Sequence, residues 1–168
     1  MCENHSELLQ QIFENINMWL HFAEAKNAAI IAFNIALLAA LISSNLFNIV
    51  IFSWTAVGLL LSTLLSLLSF KPSNKAAKKV ISESMDSNLL HYAFIASLEI
   101  DEYLEKLNKS YWKNQYQDGS EFPQIERDYS NEIIQNSRIT LKKQFYFKIA
   151  LYIDFAMIIL TCILVICS

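Results

Sequence analysis

The chain has 168 residues, of which 54% are apolar and 17% charged, and its mean hydropathy is +0.31. Soluble domains carry nearer a quarter charged residues, so part of this chain has a non-aqueous solvent. A net charge of −3 leaves no basic footprint and excludes nucleic acid as the expected partner.

The chain holds only two Gly and two Pro, and so few breakers favour long helices over turns. The expected fold class is all-α. Of the three cysteines, Cys162 and Cys167 fall in the last apolar run and read as small apolar side chains. Cys2 reads as a solvated thiol or an acylation site. An odd number at these spacings forms neither a disulfide framework nor a zinc pattern. The first twenty residues carry three Glu and no Lys or Arg, unlike a cleaved signal peptide.

Residues 1–26 form the first predicted element, an amphipathic helix starting at Ser6 with Leu9, Ile12, Phe13, Ile16, Trp19, Leu20 and Ala23 at helical spacing. Ser6 is its expected cap. The polar face is rich in Glu and Asn rather than Lys, so the apolar face is expected to pack against the protein's own helices and not on anionic lipid. Residues 27–43 are the first apolar span, and no breaker separates them from the preceding helix. One helix from Ser6 to Ser43 would be about 57 Å long and would project beyond a bilayer. An uncharged turn, Ser44–Asn48, leads to the second span, residues 49–70. Trp54 lies where an aromatic anchor belongs.

Residues 71–147 are predicted to form a helical cytosolic portion. Lys71, Pro72, Lys75, Lys78 and Lys79 open it as a positive anchor. Ala76–Gln117 reads as one long helix, with Leu89, Leu90, Leu98, Ile100, Leu104, Leu107 and Tyr111 on its apolar face and Glu102 four residues before Lys106. Gln117–Ser120 is a turn, and Pro123 is expected in the first turn of a further helix. That helix runs into the third span, residues 148–167, past Lys142, Lys143 and Lys148. All thirteen Lys and Arg precede Ile149, and residues 27–70 carry no charge. Because cytoplasmic flanks keep positive charge, the expected topology has three spans, the N-terminus inside and the C-terminus outside.

Three features are candidates for function. Small residues recur every fourth position at Ala28, Ala32, Ala36 and Ala40 and at Gly58, Ser62 and Ser66; such stripes let helices approach closely in lipid, either within the hairpin or between protomers of a homo-oligomer. Asn34 and Asp154 fall at about the same depth inside the spans, counted at roughly 1.5 Å per residue from the cytosolic side. An intramembrane carboxylate is a functional candidate by default. Asp154 is expected either to hydrogen-bond Asn34 or to snorkel to the interface. Tyr111, Trp112, Lys113, Arg127, Tyr129 and Arg138 combine stacking rings with phosphate-binding cations and are candidate ligand-binding residues. The same residues also suit the buried face of an amphipathic helix.

Catalytic motifs are lacking. The sequence has no Gly-rich phosphate loop, no G-x-S-x-G and no H-E-x-x-H. His5, His21 and His91 read as isolated, with no metal site expected. Glu99, Asp101, Glu102 and Glu105 read as a solvated face. The chain is thus not expected to be an enzyme, and no cofactor is implied.

Two stretches carry a family resemblance. One runs from His21 to Asn34, an acidic-x-Lys entry (Glu24, Lys26) into an Ala-rich span. The other runs from Ile133 to Phe145, a polar helix with late lysines leading into the last span. With the size and span order, these resemble the transmembrane effectors of the Pycsar antiphage system. Glu24 stands where an Asp is more usual in that family. The resemblance implies a bacterial inner-membrane protein functionally linked to a nucleotide cyclase. Such an effector senses a cyclic pyrimidine nucleotide, cUMP or cCMP, and compromises the membrane to halt growth. From the residues alone, the alternative is a membrane scaffold whose cytosolic helices bind a protein partner.

Overall fold

In the computed structural model, residues 3–43, 49–71, 88–116 and 121–167 are described. They form five helices: α1 (Glu3–Ser43), α2 (Ile49–Ser69), α3 (Tyr92–Ile95), α4 (Ile100–Ser110) and α5 (Gln124–Cys167). No strand occurs among the described residues. The predicted turns at Ser44–Asn48 and Gln117–Ser120, the anchor residues Pro72, Lys75, Lys78 and Lys79, and Cys2 lie outside the described residues.

The two long helices carry a shared pattern. The buried residues of α1 are His5, Leu9, Ile12, Ile16, Ala23, Asn27, Ile30, Asn34 and Leu41. Steps of three, four or seven keep all of them on one face. On α5 the corresponding face holds Glu126, Ser130, Ile133, Ser137, Thr140, Ala150 and Asp154. Ser6 is not the cap of α1, because the chain is already helical at Glu3. Pro123 lies just before α5, where its carbonyl accepts from the Glu126 and Arg127 amides at 3.0 and 3.2 Å.

The chain divides into two compact units. The first comprises Met1–His21 and Ser73–Leu141. Leu9, Ile12 and Ile16 of α1 pack there against Leu89, Ile95, Leu98, Tyr103, Leu104, Leu107, Trp112, Ile133 and Ile134. Each such aliphatic side chain removed from water contributes about 1.5–3 kcal/mol, which makes this core the main support of the unit. Asn136 Nδ2 donates to Asn17 Oδ1 at 2.8 Å, joining α5 to α1.

The long helix expected over Ala76–Gln117 is not what forms within its described part. The chain turns at Asn88–Leu90, makes the short α3, bends, and starts α4 afresh. Local side chains offer the backbone other partners. Asn88 Oδ1 accepts from the Leu90 amide at 2.9 Å, His91 Nδ1 accepts from the Ala93 amide at 3.3 Å, and Ser97 Oγ donates to the Phe94 carbonyl at 2.7 Å. Asp101 and Glu102 then occupy the first turn of α4, where negative charge suits the helix dipole. The anticipated Glu102–Lys106 pair forms at 3.8 Å on the exposed face.

The second unit comprises Phe22–Pro72 and Lys142–Ser168. Among the described residues, three helices are long and apolar enough to cross a membrane: α1, α2 and α5. Phe33, Ile35, Ile42, Trp54, Leu64, Leu68, Phe155 and Ile159 point outward and are at least half exposed, which suits lipid and not water. Near the lysines, Lys143 Nζ meets Glu24 Oε1 at 2.8 Å. This pair connects the two stretches that carry the family resemblance.

Candidate functional site

Within the second unit, the contact faces of α1, α2 and α5 are polar where apolar packing would be expected. Asn27, Asn34, Ser62, Ser66 and Asp154 are all buried, Asp154 to 3% exposure. Asn27 Nδ2 donates to the Ala23 and Lys143 carbonyls at 2.9 and 3.2 Å. Asn34 Nδ2 faces α2, with Ser62 Oγ at 3.1 Å, Thr63 Oγ1 at 3.3 Å and the Leu59 carbonyl at 3.5 Å. Ser62 Oγ in turn donates to the Ala150 carbonyl at 3.2 Å, and the Thr55 and Thr161 hydroxyls share a hydrogen bond of 2.7 Å. Gly58 permits the close approach of α2 and α5: a Cβ there would lie 2.9 Å from Met157 Cε and nearer still to its Cγ and Sδ.

Asp154 sits beside Ser62 and Asn34. The Ser62 hydroxyl and the Asn34 amide are the hydrogen-bonding groups that face its carboxyl. The small-residue stripes divide. Gly58, Ser62 and Ser66 are buried in the unit, whereas Ala28, Ala32, Ala36 and Ala40 are exposed. The span-one contacts are made by Asn27, Ile30, Asn34 and Leu41 instead.

The first unit holds a second constellation. The His5 ring stacks on Trp112, centroids 4.5 Å apart and planes 17° from parallel. Tyr116 lies edge-on to Trp112 at 6.1 Å and to Phe122 at 5.1 Å. Tyr116 Oη donates to Glu126 Oε1 at 2.8 Å, and His5 Nδ1 is 3.5 Å from the same oxygen. Trp112 Nε1, Glu126 Oε2 and, one turn along α5, Ser130 Oγ are buried without hydrogen-bond partners, as is His5 Nδ1. Buried polar atoms rarely stay unpaired. Aromatic faces beside unpaired donors and acceptors have the equipment to hold a planar, hydrogen-bonding ring.

The six sequence-predicted ligand residues do not gather in one place. Trp112 is in this cluster. Tyr111 and Lys113 are exposed beside it in the turn that ends α4, where Lys113 and Asn114 adopt positive φ. Arg127 pairs with Asp101 of α4. Tyr129 meets Phe13 edge-on at 6.2 Å. Arg138 is buried: its Nε donates to the Ala96 carbonyl at 3.0 Å, and its Nη2 donates to the Leu98 carbonyl at 2.9 Å and to Glu99 Oε1 at 3.2 Å. That arginine ties the bend between α3 and α4 to α5.

Sequence reading missed His5, Phe122, Glu126 and Ser130. The signal for His5 was present, since it stands four residues before Leu9 in register with Ile12 and Ile16. A histidine continuing an apolar stripe faces the core. Glu126 and Ser130 fall one turn apart on α5, but their stripe is polar and does not announce itself.

These features define an all-α integral membrane protein with a buried polar contact among its spans and a second, aromatic-rich helical unit. The family model for the PycTM Pycsar effector protein domain matches residues 8–168. The chain belongs to this family and is an effector of Pycsar antiphage defence, a membrane-associated system that signals through cyclic nucleotides. Neither a curated protein nor a solved structure matches the chain.

Proposed function

We propose that this effector is gated by a cyclic pyrimidine nucleotide, cUMP or cCMP, made by a partner nucleotide cyclase, and that it compromises the bacterial inner membrane when the nucleotide binds. Growth then stops before phage mature. The reading rests chiefly on helix continuity: α1 and α5 each extend without a break from residues of the first unit into an apolar span. A ligand that favours one arrangement of their outer halves biases the spans by its differential affinity for the two arrangements. The base is read by the cluster of His5, Trp112, Tyr116 and Glu126. Glu126 offers an acceptor to the ring N–H of uracil or the amino group of cytosine, and Lys113 stands near as a phosphate partner. Asn34 and Asp154 become water-exposed in the activated state. The outward stripe Ala28, Ala32, Ala36 and Ala40 supports a homo-oligomer through close helix packing.

The test is equilibrium binding of cUMP, cCMP, cAMP and cGMP to the full chain in detergent. One pyrimidine nucleotide is expected to bind. Glu126→Gln is expected to weaken that binding by roughly tenfold, the scale of one charge-assisted hydrogen bond. An absence of binding across the panel, with a helical protein recovered by pulldown, would replace this reading with that of a membrane scaffold.

A further inference from the structure

Charge divides unevenly between the two units. The first unit carries eight Lys and Arg against fourteen Asp and Glu. Three of its cations have acids beside them, Arg127 at Asp101, Arg138 at Glu99 and Lys106 at Glu102. The second unit reverses the balance, with five Lys against two acids, Glu24 and the buried Asp154. Glu24 is taken by Lys143. Among the described residues, no carboxylate comes within ion-pair distance of Lys26, Lys71, Lys142 or Lys148.

These lysines share a level with aromatic rings. Asn27 Nδ2 donates to the Lys143 carbonyl, and Lys143 Nζ reaches Glu24 and lies 5.4 Å from the Phe70 ring centroid, which brings α1, the end of α2 and α5 to one height. Lys26 Nζ lies 4.3 Å from the Phe22 centroid and 5.2 Å from that of Phe147. Lys142 Nζ is 6.0 Å from Tyr146, and Lys148 Nζ is 5.9 Å from Tyr152. Lys71 follows Phe70 and is exposed, as are Lys142 and Lys148. A ring attracts an ammonium but does not neutralise it, so this positive charge is left for a partner outside the protein. Further along the same helices the outer faces are apolar, at Phe33, Leu64 and Phe155. The band of lysines and rings therefore suits the boundary where hydrocarbon meets headgroups, with the lysine stems on apolar surface and their ends in the polar layer.

We propose that Lys26, Lys71, Lys142 and Lys148 form a binding surface for the phosphate headgroups of anionic phospholipids, which the second unit selects over zwitterionic lipids. A lipid is the occupant because the lysines border the apolar outer faces. One molecule can lay its acyl chains on the apolar face and its phosphate against the ammonium groups, whereas a soluble anion meets the charge alone. Lysines at this depth are attracted by an anionic leaflet. The surface is independent of nucleotide sensing and is tested without it.

The experiment places the full chain in lipid nanodiscs and measures, by electron spin resonance, the association of spin-labelled phosphatidylglycerol and phosphatidylcholine with it. Wild type is expected to favour phosphatidylglycerol, and added NaCl to shrink the preference as screening shortens. Lys26→Gln, Lys71→Gln, Lys142→Gln and Lys148→Gln are each expected to lower the preference by at most about fivefold, the scale of one lysine beside an anionic leaflet, and all four together to abolish it. Lys109→Gln, at the end of α4 in the first unit, should leave it unchanged. Inorganic phosphate added at constant ionic strength is expected to have no effect, and a preference that phosphate removes would assign the surface to a soluble anion and overturn the lipid. Equal association of both lipids with wild type, a preference insensitive to salt, or one that survives all four replacements also overturns it. The salt series is read on wild type, so it decides even if the fourfold variant does not fold.

Discussion

Tyr103 shows how burial, before any other cause, sets the behaviour of a side chain in this protein. It is fully buried, and its hydroxyl donates to the Leu89 carbonyl at 3.2 Å. Desolvation pushes its phenol well up from the ordinary 10.0, and repulsion from Tyr111 adds to the shift. The unfolded chain releases this proton near 10.0 while the folded chain keeps it. Above that pH the unfolded state holds fewer protons, so stability falls as pH rises; below it Tyr103 contributes no slope. Tyr103→Phe is expected to cost about 1 kcal/mol at neutral pH and to flatten the alkaline limb of the melting curve. An unchanged alkaline limb would place that sensitivity elsewhere. At the same scale, His5 and Asp154 show opposite legibility. Asp154 stood out in sequence as a lone charge in an apolar run, whereas His5 looked isolated because its partners Trp112 and Glu126 are more than a hundred residues away along the chain.

Among the elements, the bend between α3 and α4 is where local and tertiary forces meet. Apolar spacing over 89–111 suits a continuous helix, but Asn88, His91 and Ser97 hydrogen-bond the nearby backbone and interrupt it. The interruption leaves carbonyls at Ala96 and Leu98 that Arg138 satisfies from α5. Arg138→Met is therefore expected to destabilise the first unit by about 2–4 kcal/mol, since it strands buried acceptors. Arg138→Lys should recover little, because an ammonium lacks the planar fork that reaches two carbonyls at once. Chemical unfolding gives the size of the loss. Hydrogen exchange should place it at residues 96–99, and protection unchanged there would refute the tie. The continuity of α1 and α5, by contrast, was readable in advance from the absence of breakers at 26–27 and 147–148.

For the whole molecule, the distribution of positive charge is the property with the longest reach. Lys and Arg flank the spans on one side only, and the apolar outer faces of α1, α2 and α5 match a lipid environment. A phosphatase reporter, active only outside the cytosol, is expected to be active when fused after Ser168 and silent when inserted near Glu121. The reverse pattern would place the aromatic cluster beyond the reach of a cytosolic nucleotide and end the proposed gating. The exposed Ala28, Ala32, Ala36 and Ala40 also belong to this scale, because the homo-oligomer proposed for them would need a second copy and not the packing of one chain.

What the sequence determined by itself was the fold class, the three spans and the length of the two great helices. Those properties depend on hydropathy, charge placement and missing breakers, all of which act locally or through the solvent. The tertiary structure alone decided which face of each span turns inward, and so why Asn34 and Ser62 accompany Asp154 while the alanine ladder faces out. It also decided that Arg138 serves a bend and that His5, Trp112, Tyr116 and Glu126 meet. Those outcomes depend on contacts between residues far apart in the chain, and a helical period of 3.6 fixes which residues share a face without saying what that face will meet.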